Sequence, residues 1–159
     1  MDKEQKRKNK SDGYNEKTVK NLSYFLHKLR DPIDVMYYLM ERRQINNFAL
    51  ILLSFKDPKI LDVVQHQKRE TDIIIIEHDV KKNMLAILCQ DTKVDGGYYF
   101  VKRTIGAINK EYDENIYCSV VAVHKVNHSI VDIGVRALNL FDKAIKMGND
   151  TEIQYYTIK

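Results

Sequence analysis

The chain has 159 residues, 44% hydrophobic and 30% charged, with a formal net charge of +4. That is the composition of one globular domain with a real core, and it excludes a fibrous or wholly disordered chain. No apolar run approaches the ~18–20 residues that span a bilayer, and the N-terminus is charged where a secretory signal would be apolar, so a cytoplasmic protein is expected. The positive charge is partly local: Lys3, Lys6, Arg7, Lys8 and Lys10 face only Asp2 and Glu4 within Met1–Lys10. A tail so short and mixed reads as a disordered, solvated arm over 1–16, and nucleic acid is not an expected partner.

From Lys17, the residues Val19, Leu22, Phe25, Leu26 and Leu29 share one helical face, which predicts an N-terminal helix over 17–30. Asp31-Pro32 then reads as a helix restart, with a capping carboxylate followed by a proline suited to the first turn. The second helix, striped by Ile33, Met36, Tyr37 and Met40, runs to about Gln44, and 31–159 is taken as one domain. FALILLSF (Phe48–Phe55) is apolar almost throughout, as a strand covered on both faces must be. Asp57-Pro58 starts a short helix carrying Ile60, Leu61 and Val64. The four isoleucines of Ile73–Glu77 and the run Met84–Cys89 form a hairpin through the charged turn His78–Asn83. Gly96-Gly97 opens a long helix with a seam of Tyr98, Val101, Ile105, Ile108 and Tyr112. Ile116–Val123 is a strand. Asp132 caps a last helix with Ala137, Leu138, Phe141, Ala144 and Ile145 inside and Gly148 at its C-cap, and Ile153–Ile158 alternates as a terminal strand. This order predicts an α/β (α+β) fold: a mixed central sheet of about five strands flanked by helices, with an N-terminal helical extension.

Few residues point to chemistry. Cys89 and Cys118 sit inside apolar strands and read as reduced, inert thiols. His124 and His128 are four apart but straddle a strand end and a loop, without further zinc ligands nearby. His78 has no nucleophile to serve, and Ser119 lies mid-strand without elbow glycines. No catalytic residue, metal site or cofactor is expected. Each doublet, Tyr98-Tyr99 and Tyr155-Tyr156, is expected to place one ring inward and one outward. The Leu22–Leu29 stripe either packs on its own domain or docks a second chain, and the former is expected because so short a helix pairing is marginal alone.

Three stretches carry a family resemblance. Arg69-Glu70-Thr71-Asp72 is an RxxD pattern, separated by Ile73–Glu77 from the turn residues His78-Asp79-Val80-Lys81-Lys82. Ser119 lies in YCSVVAV, and Ala137, Ala144, Gly148 and Asn149 keep a characteristic spacing. With the element order, these resemble the GGDEF domain of bacterial diguanylate cyclases over Leu29–Lys159. The RxxD pattern is similar to that family's inhibitory site, and the charged turn falls where its signature belongs. The departures are as informative. The turn has no glycine, and lysines stand where the family has an acid. Ser54, Lys56 and Asp57 end the first strand where metal-holding acids belong, and Val121, Leu138 and Ile145 replace a Gly, an Asp and a Lys. Phe55 to Ile73 has room for one short helix where the family has two and a guanine-contacting loop. Phosphoryl transfer without metal-held charge neutralisation loses its main source of catalysis. The resemblance is therefore to a degenerate, inactive member. It implies a regulatory module that binds cyclic di-GMP through Arg69 and Asp72, with a second basic residue from the next helix, Arg103 or Lys102. Arginine suits the guanine O6/N7 edge, and an aspartate suits the guanine N–H edge. Two alternatives stand beside this. Arg69 and Asp72 can be a plain surface salt bridge, contributing about 0–1 kcal/mol. The domain can equally be a scaffold that binds no nucleotide and docks a protein partner, or its own copy, in a larger bacterial assembly.

Overall fold

The computed structural model describes residues 16–78, 83–147 and 152–158. The basic tail before residue 16, the centre of the charged turn and Gly148 with Asn149 lie outside the described residues. The elements are α1 (Glu16–Glu41), β1 (Phe48–Phe55), α2 (Ile60–Gln67), β2 (Ile73–His78), β3 (Asn83–Gln90), α3 (Val94–Asn109), β4 (Tyr117–Val123), α4 (Ile130–Met147) and β5 (Glu152–Ile158).

The strands form a mixed five-stranded sheet in the order β2-β3-β1-β4-β5. β1 lies at its centre, antiparallel to β3 (Leu50 opposite Leu88) and to β4 (Leu50 opposite Val121). β2 and β3 form the predicted antiparallel hairpin, and β4 and β5 run parallel, as a crossover through α4 permits. Strand side chains alternate between faces, so the sheet has two cores. Phe48, Leu50, Leu52, Ala86, Leu88 and Val121 face α1 and α4. Ala49, Ile51, Leu53, Leu85, Ile87 and Val120 face α2 and α3. A central strand buried on both sides cannot afford alternate polar residues, which is why Phe48–Phe55 is apolar except at Ser54.

The structure departs from the sequence reading at the helix boundaries. The restart expected at Asp31-Pro32 does not occur; α1 runs through it with Pro32 inside. Phe25, Leu29, Ile33 and Met36 form one continuous stripe, each no more than 2% exposed. Burying each stabilises by about 1.5–3 kcal/mol, which outweighs the ~3 kcal/mol an internal proline costs. The same stripe packs on its own sheet and on α4. α3 starts at Val94, two residues before the glycines expected to open it, and both lie in its first turn. Gly97 is needed there: a Cβ would stand 2.6 Å from Val120 Cγ1 on β4. α4 is capped by Ser129, whose Oγ accepts the Asp132 N–H at 3.0 Å. Asp132 thus sits inside the first turn and is not the cap. Tyr155 and Tyr156 are both exposed because β5 is an edge strand: Tyr155 packs edge-on against Tyr98, and Arg136 lies over Tyr156.

Candidate functional site

The segment Lys68–Asp72 joins α2 to β2 as a tight turn. The Asp72 N–H donates to the Arg69 carbonyl (3.1 Å), while the Arg69 N–H donates to Asp72 Oδ2 (2.9 Å). This reciprocal closure explains the spacing, since a turn brings residues three apart together. The Asp72 side chain is 1% exposed, and its other oxygen, Oδ1, accepts Arg69 Nη2 at 3.1 Å. Cys89, on the neighbouring strand β3, also hydrogen-bonds to this carboxylate. Burial, and after it the Asp72 charge, pushes the Cys89 thiol well above the ordinary range, so it stays protonated. A buried carboxylate must be paired, and here its partner is Arg69.

Arg69 is held further by the end of β3. Its Nη2 donates to the Gln90 carbonyl (2.6 Å) and to Thr92 Oγ1 (2.9 Å), and Thr92 Oγ1 in turn donates to Gln90 (2.9 Å). All of these bonds use one nitrogen. Among the described residues none is made by Nε or Nη1, and the side chain is 53% exposed. The guanidinium is thereby fixed on one side and open on the other.

Arg69 lines a cleft of about 550 Å³ between the β3–α3 junction, the start of β1 and the outer face of α3. Of the residues named from sequence, Arg69, Asp72 and Arg103 line it; Lys102, on the exposed side of α3, does not. Arg103 is braced by α2, donating from Nε to Gln67 Oε1 (3.1 Å) and from Nη2 to the Gln67 carbonyl (3.3 Å). Its guanidinium lies 5.6 Å from the Phe100 ring centroid. Sequence reasoning missed Asn47, Thr92, Lys93, Tyr99 and Phe100 as wall residues. The one available signal was the helical spacing Gly96, Tyr99, Phe100, Arg103, which puts all four on one face of α3. Arg69, Lys93 and Arg103 are matched in the wall by Asp72, Asp91 and Asp95. Net field therefore does little here, and any recognition must come from directed hydrogen bonds and ring contacts.

Ser54 Oγ accepts the Tyr117 N–H (3.0 Å), and Asp57 Oδ1 accepts the Lys59 N–H (3.0 Å) at the start of α2. Among the described residues no group of three or more His, Cys, Asp and Glu is placed to hold a metal ion, and no helix is long and apolar enough to cross a membrane. His124 and His128 thus have no third ligand there. His128 instead offers its carbonyl to the Tyr37 hydroxyl (2.6 Å), and burial pushes Tyr37 up to about 12.

No protein-family model matches the sequence, and no curated protein matches it. Solved structures match in fold. PelD 158-CT from Pseudomonas aeruginosa PAO1 is 11% identical, with a TM-score of 0.50, over 78% of this chain and 47% of that one. PelD 156-455 from Pseudomonas aeruginosa PA14, in complex with c-di-GMP, is 12% identical, with a TM-score of 0.50, over 64% of this chain and 40% of that one. This chain therefore spans less than half the length of the PelD chains it matches. At such identity the likeness shows the fold alone: a mixed five-stranded sheet flanked by helices, similar to the GGDEF-like fold of PelD.

Proposed function

We propose that this chain is a non-catalytic regulatory module that binds cyclic di-GMP in the cleft walled by Arg69 and Arg103. The observation that carries the reading is the half-pinned Arg69 guanidinium. Asp72, Gln90 and Thr92 hold Nη2, so the guanidinium is fixed in place on the cleft wall while Nε and Nη1 keep unused donors among the described residues. A free guanidinium N–H can donate to a guanine O6 or N7 acceptor, and fixing the group beforehand lowers the ordering cost of binding. Asp72 plays a different part from the one its sequence position implied. With both oxygens taken by Arg69, it positions the guanidinium instead of meeting the guanine N–H edge. Arg103, braced at the end of α2, supplies the second cation for a base face or a phosphate. A c-di-GMP complex among the structures of similar fold supports this ligand class. The non-catalytic reading is supported by Ser54 and Asp57, each engaged in backbone hydrogen bonds at the end of β1.

Calorimetric titration of the full chain with cyclic di-GMP tests the reading. Wild type should bind, and Arg69→Ala should bind at least ~30-fold more weakly, as expected when charge-assisted hydrogen bonding worth about 2 kcal/mol or more is lost. Arg69→Lys should rescue little, because an ammonium keeps the charge but cannot be anchored through one nitrogen while donating from another. Equal heats in wild type and Arg69→Ala, or no heat in either, would remove the ligand reading and leave the scaffold. Incubation with GTP and Mg²⁺ should give no cyclic dinucleotide.

A further inference from the structure

We propose that Tyr99 is the platform on which a purine base stacks in this cleft while Arg69 reads the base edge. The inference rests on the ligand class proposed above and goes beyond the RxxD pattern. Tyr99 is the most exposed large aromatic among the described residues, at 67%, although its neighbour Phe100 is 8% exposed and belongs to the core. An isolated exposed tyrosine needs no explanation, but this one lines the same cleft as Arg69 and Arg103. Its ring is also braced. Tyr98 meets it edge-on at 5.9 Å and 79°, and Tyr155 of β5 meets Tyr98 edge-on at 5.5 Å and 76°. A row of three rings thus runs from the sheet edge to the cleft and restricts the last of them. A restricted aromatic loses little conformational freedom when it takes a partner.

The local helix geometry leaves room for that partner. Gly96 lies one turn before Tyr99 on the same face of α3, where helical side chains lean toward the N-terminus. A Cβ there would make only ordinary contact, 3.5 Å from Thr92 Cγ2, so packing does not demand glycine at 96 as it does at 97. The absence of a side chain keeps the wall beside Tyr99 low. Further along the face stand Phe100 and Arg103, so the wall presents rings and a guanidinium and no carboxylate beyond its first turn. Every base has a π-face, so stacking supplies affinity with little preference, and the choice of guanine falls to Arg69.

The full chain would be titrated with cyclic di-GMP as wild type, Tyr99→Ala, Tyr99→Phe and Arg69→Ala. Tyr99→Ala should weaken binding on the order of 10-fold, as loss of one base–aromatic stack does. Tyr99→Phe should stay close to wild type, because the ring and not the hydroxyl makes the contact. The ring is on the surface, so thermal melts of these Tyr99 variants should overlay. The chain contains no Trp, so Tyr99→Trp places a single indole in the wall, and its emission should quench as the ligand is added. If Tyr99→Ala binds like wild type and the indole does not respond while Arg69→Ala loses binding, the stacking role is wrong and the ligand class stands. If wild type gives no heat, both fall together.

Discussion

Buried thiols give this molecule a pH dependence that can be worked out from single side chains. Cys89 and Cys118 are both free and buried, and burial raises each thiol from 9.0 to above the range of ordinary titration. A group whose folded pKa is raised adds stability that is full below the unfolded value. That stability is lost as pH climbs from there toward the folded one. The unfolded chain releases protons above pH 9 that the folded chain retains, so unfolding becomes easier on the alkaline side. Urea midpoints should be flat from pH 7 to 8 and fall by pH 10, by up to about 1.4 kcal/mol per pH unit for each thiol. Tyr37, raised from 10.0 to about 12, adds its share above pH 10. Cys89→Ala and Cys118→Ala should each flatten the curve, and a wild-type midpoint unchanged at pH 10 would contradict the account. The Arg69–Asp72 pair was legible at this scale because its spacing is that of a closed turn. Its division of labour was not, since the bonds to Gln90 and Thr92 come from a strand twenty-one or more residues away.

At the scale of elements, glycines separate helix propensity from helix docking. Gly97 and Gly106 both lie inside α3, where alanine is preferred by about 1 kcal/mol when nothing else intervenes. Nothing stands within 4 Å of a Cβ at Gly106, whereas one at Gly97 meets the β-branched Val120 in the middle of β4. Gly106→Ala should therefore raise stability by about 0.5–1 kcal/mol. Gly97→Ala should lower it by roughly 1–3 kcal/mol through overpacking, and paired denaturant titrations would show the opposite signs. The same pair shows where reading elements from sequence succeeds and where it stops. Strands were legible because Phe48–Phe55 is apolar almost throughout, as a strand covered on both faces is, and the four isoleucines are a short β-branched run. Helix ends were less so. Asp31-Pro32 is a sound local break signal that four buried side chains override, and Gly96-Gly97 marks the start of a helix two residues late. The wall formed by Tyr99, Phe100 and Arg103 depends on how α3 is rotated against β3 and β1, which no local pattern reveals.

For the whole molecule, order in the chain and order in the sheet disagree. β1 is the first strand in sequence and the middle one in space, hydrogen-bonded to β3 on one side and β4 on the other. During synthesis its seven apolar residues leave the ribosome long before Tyr117–Val123 exists to close the second edge. Until then the strand carries open backbone groups and a greasy surface, the combination that recruits strands from other chains. Chains stopped after Gln90 or after Asn109 should accordingly collect in the insoluble fraction, and chains continued past Met147 should be recovered in the supernatant. Centrifugation of such a length series would show whether solubility arrives in one step with β4. If it does, this protein is committed to folding only after most of it has been made, and its dependence on chaperones is set by where its most apolar strand stands in the queue.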